Sequence, residues 1–205
     1  MITIINYGSG NVRAIGNIYD KLNIAYKIVS KVDEVDENVT KIILPGVGAF
    51  DETMSMLIDS GFRNLLDELV LEKQLPTLGI CVGMQILSNG SEEGKLNGLG
   101  WIPGVVRKFD KELLAHKPKL PHLGWNSVKI KRESPILNGV DTEHGFYFIH
   151  TYYFETENDE NILTTSNYGI EFCSSVVKNN IFGTQFHPEK SHYNGVSLLN
   201  NFAKL

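Results

Sequence analysis

Two of the 205 residues are cysteine, the side chain best suited to covalent acyl chemistry. Cys81 lies in Gly79-Ile80-Cys81-Val82-Gly83-Met84-Gln85. Small residues two before and two after a nucleophile are what a sharp strand-to-helix elbow demands, because larger side chains there collide. An elbow of this kind sets the thiol at the carboxyl end of a sheet strand, where open α/β folds bind ligands. It also places sulfur at a helix N-terminus, whose partial positive charge favours thiolate. The competing reading is a buried packing cysteine, and the flanking glycines weigh against it. Cys173, inside the strand-like run 171–177, reads as a packing residue instead.

A thiolate needs a proton shuttle, and His187 is the best candidate. It ends the apolar run 181–186 and is followed by Pro188 and Glu189. Proline stops the strand, and the carboxylate can fold back onto one imidazole nitrogen. That fixes the tautomer and steadies the imidazolium while the other nitrogen faces the nucleophile. Cys81, His187 and Glu189 thus form a candidate acyl-transfer triad. Acyl transfer also requires donors aimed at the developing oxyanion. One is the backbone N–H of Val82, directly after the thiol. The other is assigned to Pro45-Gly46-Val47-Gly48, with Val47 as donor, because glycines let a peptide plane reorient. An ordinary tight turn is the alternative for that segment.

These groups need a scaffold. The first half alternates strand and helix: strands at 2–7, 24–29, 42–44 and 77–80, with Pro45-Gly46 ending the third. Helical spacing marks Val12, Ile15, Tyr19 and Leu22, and again Phe62, Leu65, Leu66, Leu69 and Val70. This alternation implies a parallel sheet covered on both faces. From about 105 to 186 the runs 127–130, 146–154 and 181–186 are strand-like, which adds antiparallel strands, and 155–161 reads as an exposed turn. A closing helix carries Val196, Leu199 and Phe202. The expected fold is α/β, with a central mixed, mostly parallel sheet, in one domain spanning 1–205.

Composition narrows the partners. With 19 Lys and Arg against 24 Asp and Glu, the net charge of −5 disfavours nucleic acid and anionic membranes as primary partners. The apolar runs are shorter than a membrane span of about 20 residues, the N-terminus has no leader pattern, and two cysteines make no disulfide framework. A cytoplasmic location is the expectation. The six histidines (His116, His122, His144, His150, His187 and His192) lack metal-ligand spacing, so neither metal nor cofactor is expected. Gly8-Ser9-Gly10 is a poor dinucleotide loop, because the third glycine would fall at Arg13. Trp125, in Pro121-His122-Leu123-Gly124-Trp125-Asn126, is costly to expose and fits a buried anchor or a partner-facing one equally well.

Taken together, the segments 6–11, 45–50, 79–85, 121–126, 148–152 and 185–191 resemble the class I glutamine amidotransferases. The elbow and His-x-Glu mark the superfamily. The first loop, the Trp125 segment and Lys190-Ser191 narrow the similarity to the family of glutaminase subunits of imidazole glycerol phosphate synthase. The resemblance implies a three-layer sandwich in which Cys81 attacks L-glutamine, His187 protonates the departing ammonia, and Glu189 orients His187. Gln85 and Glu93 match positions that hold the α-amino end, and Gly48, His150, Thr151 and Tyr152 would contact the rest of the substrate. Ammonia would pass to a separate cyclase subunit with a (β/α)8 barrel in histidine biosynthesis, across an interface containing Asn11, Trp125, Tyr147 and Lys190. The family keeps the glutaminase nearly idle until the partner is loaded, which makes the Gly46–Val47 peptide the candidate switch. Two departures bear on the acceptor: Val82 where the family more often has Leu, and an aromatic in Gly100-Trp101-Ile102-Pro103. Relatives serving surface-sugar amidation, or a catalytically silent regulatory subunit, are the alternatives.

Overall fold

The computed structural model describes residues 1–112, 114 and 119–205; His116 lies outside them. β1 (Ile2–Ile5), three isoleucines and Thr3, is wholly buried, as a strand covered on both faces must be. α1 (Val12–Leu22) follows, with the Asn11 side chain accepting the Ala14 N–H at 3.4 Å as its cap. β2 (Tyr26–Val29) and β3 (Lys41–Gly46) flank β1, both parallel to it. α2 (Phe50–Asp59) and α3 (Phe62–Asp67), the latter prolonged by a π-helical turn over Glu68–Glu72, lead to β4 (Thr77–Cys81), parallel beside β3. The step from β1 to β2 runs in the opposite direction across the sheet from the step β3 to β4. Right-handed crossovers therefore place α1 on one face and α2 and α3 on the other, giving three layers.

The second half contributes α4 (Val82–Gln85), β5 (Gly90–Ser91), β6 (Gly104–Lys108), β7 (His122–Asn126), β8 (Lys129–Ile130), β9 (Phe146–His150), β10 (Tyr152–Thr156), β11 (Ile162–Tyr168), β12 (Ile170–Lys178), β13 (Ile181–Thr184) and α5 (His192–Lys204). The main sheet runs β2-β1-β3-β4-β13-β12-β10-β6-β5, and β11 pairs with both β12 and β8. β13 is parallel to β4, whereas β12, β10 and β11 pair antiparallel. β7 and β9 form a separate two-stranded antiparallel sheet.

Several boundaries differ from the sequence pattern for local reasons. β3 does not stop at residue 44: it continues through Pro45 and ends at Gly46, which pair with Ile80 and Cys81, so the strand carries the glycine up to the thiol. The apolar run 146–154 is two strands in two sheets, divided at Thr151, whose carbonyl accepts the Phe109 N–H at 3.1 Å. Likewise 127–130 holds only the short β8, and Trp125 lies on β7 rather than in a loop. The turn at 155–161 ends on Asn161, which is buried. α2 is not anticipated above, although Phe50, Met54 and Leu57 bury one face at helical spacing. Trp101 is absorbed by the core: it is buried, and its indole N–H donates to Asp67 at 2.7 Å.

Where β3, β4 and α4 meet, backbone touches backbone. A Cβ on Gly83 would stand 1.9 Å from the Leu44 carbonyl oxygen, and one on Gly79 2.5 Å from that of Gly83. Gly83→Ala should therefore cost about 1–3 kcal/mol, as overpacking does, read from the urea midpoint at constant slope. A loss below about 0.5 kcal/mol would contradict this packing.

Candidate active site

β4 ends in the elbow. Cys81 takes φ 57 and ψ −114, a conformation that costs a non-glycine residue on the order of 1–3 kcal/mol and persists only where surroundings impose it. The glycine contacts above impose it here. Val82 opens α4, where the first N–H groups have no partner within the helix. Gly46 is the register partner of Cys81, so Val47, the next residue, follows directly beside the thiol.

β13 lies next to β4 with Thr184 opposite Ile80. Three residues on, the chain reaches His187, so parallel register is what brings the imidazole to the thiol's end of the sheet. The strand itself ends at Thr184 rather than Phe186, but the Gln185 N–H still bonds the Ser174 carbonyl at 2.9 Å. His187 Nδ1 lies 2.8 Å from Glu189 Oε1, and both side chains are only 2% exposed. Nδ1 is thereby occupied, and Nε2 makes no hydrogen bond of ordinary geometry among the described residues. Burial opposes charge on this imidazole, yet Cys81 and Glu189 outweigh it and push its pKa up to about 10. The pair is thus poised as a buried imidazolium between a carboxylate and a sulfur.

Cys81 and His187 open on a cavity of about 480 Å³, within the usual range for small-molecule sites. All six residues assigned to substrate line it: Gly48, Gln85, Glu93, His150, Thr151 and Tyr152. Val47 and Val82 line it as well. Gln85 is buried, and its amide donates to the Tyr152 carbonyl at 3.2 Å and to Gln185 Oε1 at 3.0 Å. Glu93 is exposed at the rim, and one carboxylate oxygen accepts the Phe50 N–H at 2.9 Å. His150 has its pKa pushed down to about 3 by burial and by neighbouring His122, so it is neutral. Its Nδ1 must donate to the Tyr152 carbonyl at 2.7 Å, which leaves Nε2 to accept from His122 Nδ1 at 2.9 Å.

Asn11, Trp125 and Tyr147 stand outside the cavity; Lys190 reaches its edge, with Nζ 5.8 Å from the Tyr147 ring. Cys173 is buried on β12 with its pKa pushed up to about 12 by burial, in keeping with a packing role. Gln185 was not singled out from the sequence, yet its amide nitrogen lies 3.8 Å from Cys81 Sγ. Its place two residues before His187, on the same strand exit, is the signal that would have found it. Lys108 and Ile149 also line the cavity without having been anticipated, because they arrive on separate sheets.

The elevated His187 pKa has a pH consequence. A folded value above the unfolded one, about 6.5, means a stabilisation fully present below pH 6.5 and lost as pH rises toward 10. Removing the sulfur removes part of the cause. In Cys81→Ala the His187 imidazole should titrate at lower pH than in the unaltered chain, as followed by NMR. An unchanged titration would show that Cys81 does not act on His187.

The family described as "Glutamine amidotransferase class-I" matches residues 3–205. The protein named imidazole glycerol phosphate synthase subunit HisH from Leptospira borgpetersenii is 46% identical over all of both chains. Its namesake from Bdellovibrio bacteriovorus is 47% identical, again over all of both. Among solved structures, PurLQS from Thermotoga maritima superposes with a TM-score of 0.75 over 99% of this chain and 97% of that one, at 16% identity, which speaks to the fold alone. The chain belongs to the class-I glutamine amidotransferase family, within its branch of HisH subunits.

Proposed function

We propose that this chain, as a single domain over residues 1–205, is the glutaminase subunit of imidazole glycerol phosphate synthase and releases ammonia from L-glutamine for histidine biosynthesis. The observation that carries the proposal is the Cys81–His187–Glu189 grouping, set in a cavity lined by every residue assigned to the substrate. Glu93 and Lys108 on that cavity offer one negative and one positive group, matching the ammonium and carboxylate of an amino acid.

Cys81 Sγ, as thiolate, attacks the carboxamide carbon, and the carbonyl oxygen becomes an oxyanion facing the Val82 and Val47 backbone. His187 gives its Nε2 proton to the amide nitrogen as the C–N bond breaks, so ammonia leaves and a γ-glutamyl thioester remains. Neutral His187 then takes a proton from water as it attacks the thioester. Collapse expels the thiolate and yields glutamate. Glu189 holds Nδ1 throughout, and Gln85 and Gln185 keep the sulfur's surroundings in register.

Free ammonia is mostly ammonium at neutral pH and is then no nucleophile, so a partner must receive it directly. The β7–β9 sheet supports such docking: Leu123, Trp125 and Ile149 are 59%, 39% and 38% exposed along it. Ile149 and Lys190 belong to both this surface and the cavity, so the cavity abuts the apolar patch, as direct delivery of ammonia to a partner would require. The partner assigned is a cyclase with a (β/α)8 barrel, contacted by Asn11, Trp125, Tyr147 and Lys190. No helix among the described residues is long and apolar enough to cross a membrane, and we assign the complex to the cytoplasm.

Cys81→Ala in the complex should abolish glutamine-dependent product formation, by at least about 1,000-fold for loss of a nucleophile, and leave ammonia-dependent formation intact. Equal activity from both nitrogen sources in this variant would refute the donor role. Trp125→Ala should weaken binding to the cyclase by about 30-fold, the scale of an interface hot spot, measured by titration calorimetry; a change under twofold would place the interface elsewhere.

A further inference from the structure

We propose that Gln185 is a further catalytic residue: its side-chain amide donates a hydrogen bond to the Cys81 sulfur from outside the cavity and favours the thiolate. The proposal rests on the glutaminase reading of Cys81 and deepens it.

The direction of the bond follows from a chain of partners. The Tyr152 carbonyl can only accept, so the Gln85 atom 3.2 Å from it is the amide nitrogen. That nitrogen lies 3.0 Å from Gln185, which must therefore turn its oxygen toward Gln85. The other end of the Gln185 amide, its nitrogen, then faces the Cys81 sulfur at 3.8 Å, a separation that the larger radius of sulfur allows. His150 Nδ1 donates to the same Tyr152 carbonyl at 2.7 Å and holds the start of the chain in place. Gln85 and Gln185 are buried, Gln185 completely, so water does not substitute for these partners. Among the described residues the sulfur is the one acceptor this nitrogen has, and a buried amide N–H left unmet is costly.

The backbone delivers the amide to this place. Thr184 is the register partner of Ile80, so Gln185 follows beside Cys81, and its N–H is tied to the Ser174 carbonyl at 2.9 Å. The next residue, Phe186, is buried and stacked on Phe146 with ring centroids 3.8 Å apart. Cys81 lines the cavity and Gln185 does not, so bound glutamine meets the sulfur and leaves the amide contact intact. His187 gains and loses its proton during turnover, whereas an amide N–H does not ionise. A donor to the charged form favours that form. The same bond thus assists the thiolate as nucleophile and again as leaving group when the thioester collapses.

The test follows alkylation of Cys81 by iodoacetamide against pH in the subunit–cyclase complex, read by peptide mass mapping, for the unaltered chain and for Gln185→Met. Methionine keeps the bulk and removes the donor, while Gln85 retains the Tyr152 carbonyl. The midpoint should move up by about one pH unit, and kcat for glutamine should fall about tenfold, the low end for a hydrogen bond to a charged group. An amide with a structural role alone would lower stability or raise KM and leave the alkylation midpoint in place. A second measurement needs no variant of Gln185. In the unaltered complex the Gln185 side-chain amide protons should shift in NMR with the alkylation midpoint, and this response should vanish in Cys81→Ala. An unmoved midpoint in Gln185→Met, or amide protons that do not respond to the sulfur, overturns the proposal while the glutaminase reading stands. If the unaltered complex is alkylated as expected but does not hydrolyse glutamine, the glutaminase reading falls, and the catalytic role of Gln185 with it.

Discussion

The site rests on a steric constraint. β3, β4 and α4 approach so closely that Gly46, Gly79 and Gly83 have no room for a side chain: a Cβ on Gly46 would lie 2.4 Å from the Gly83 nitrogen. That contact leaves Cys81 nowhere to go except φ 57, a backbone that turns its thiol out of the sheet and begins a helix in the same step. The strain is held by a core of buried aliphatic residues on β1, β3 and β4. Relax the glycine contacts and the thiol loses its direction, however intact the rest of the triad.

Electrostatics then act on a geometry already fixed. His187 and Glu189 are both buried, and their attraction is little screened there. A lone carboxylate in that position would bear a large desolvation cost; paired with Glu189, the charged form of the His187 imidazole is favoured. The same backbone carries the site to the surface. The His187 N–H donates to the Tyr147 carbonyl at 2.9 Å, and the Ser191 hydroxyl to the His187 carbonyl at 2.6 Å. Tyr147 lies on β9, opposite Trp125 on β7. The His187 imidazole and the apolar patch are thus separated by one hydrogen-bonded strand.

What the sequence made legible follows from what is local. Glycines at 79 and 83 announce the elbow because sterics there act between near neighbours. His187, Pro188 and Glu189 announce a buried pair because two residues suffice to fold a carboxylate back. The alternation of β1, α1, β2 and β3 was readable from periodicity. The division of 146–154 at Thr151 was not, since nothing in that apolar run says which sheet each half joins; only the pairing of β9 with β7 and of β10 with β6 decides it. α2 was hidden because acidic Asp51 and Glu52 in its first turn mask a helix whose apolar face is narrow. Gln185 and Lys108 were missed for a related reason: their place at the cavity depends on tertiary neighbours far away in the chain.

The chemistry proposed above turns on Cys81 carrying the acyl group. Acid quenching of the subunit–cyclase complex during turnover of isotopically labelled glutamine, followed by peptide mass mapping, tests it directly. A labelled γ-glutamyl thioester is expected on the peptide containing Cys81 and none on that containing Cys173. Label on Cys173, or turnover with no label on Cys81 under conditions that slow thioester hydrolysis, would contradict it.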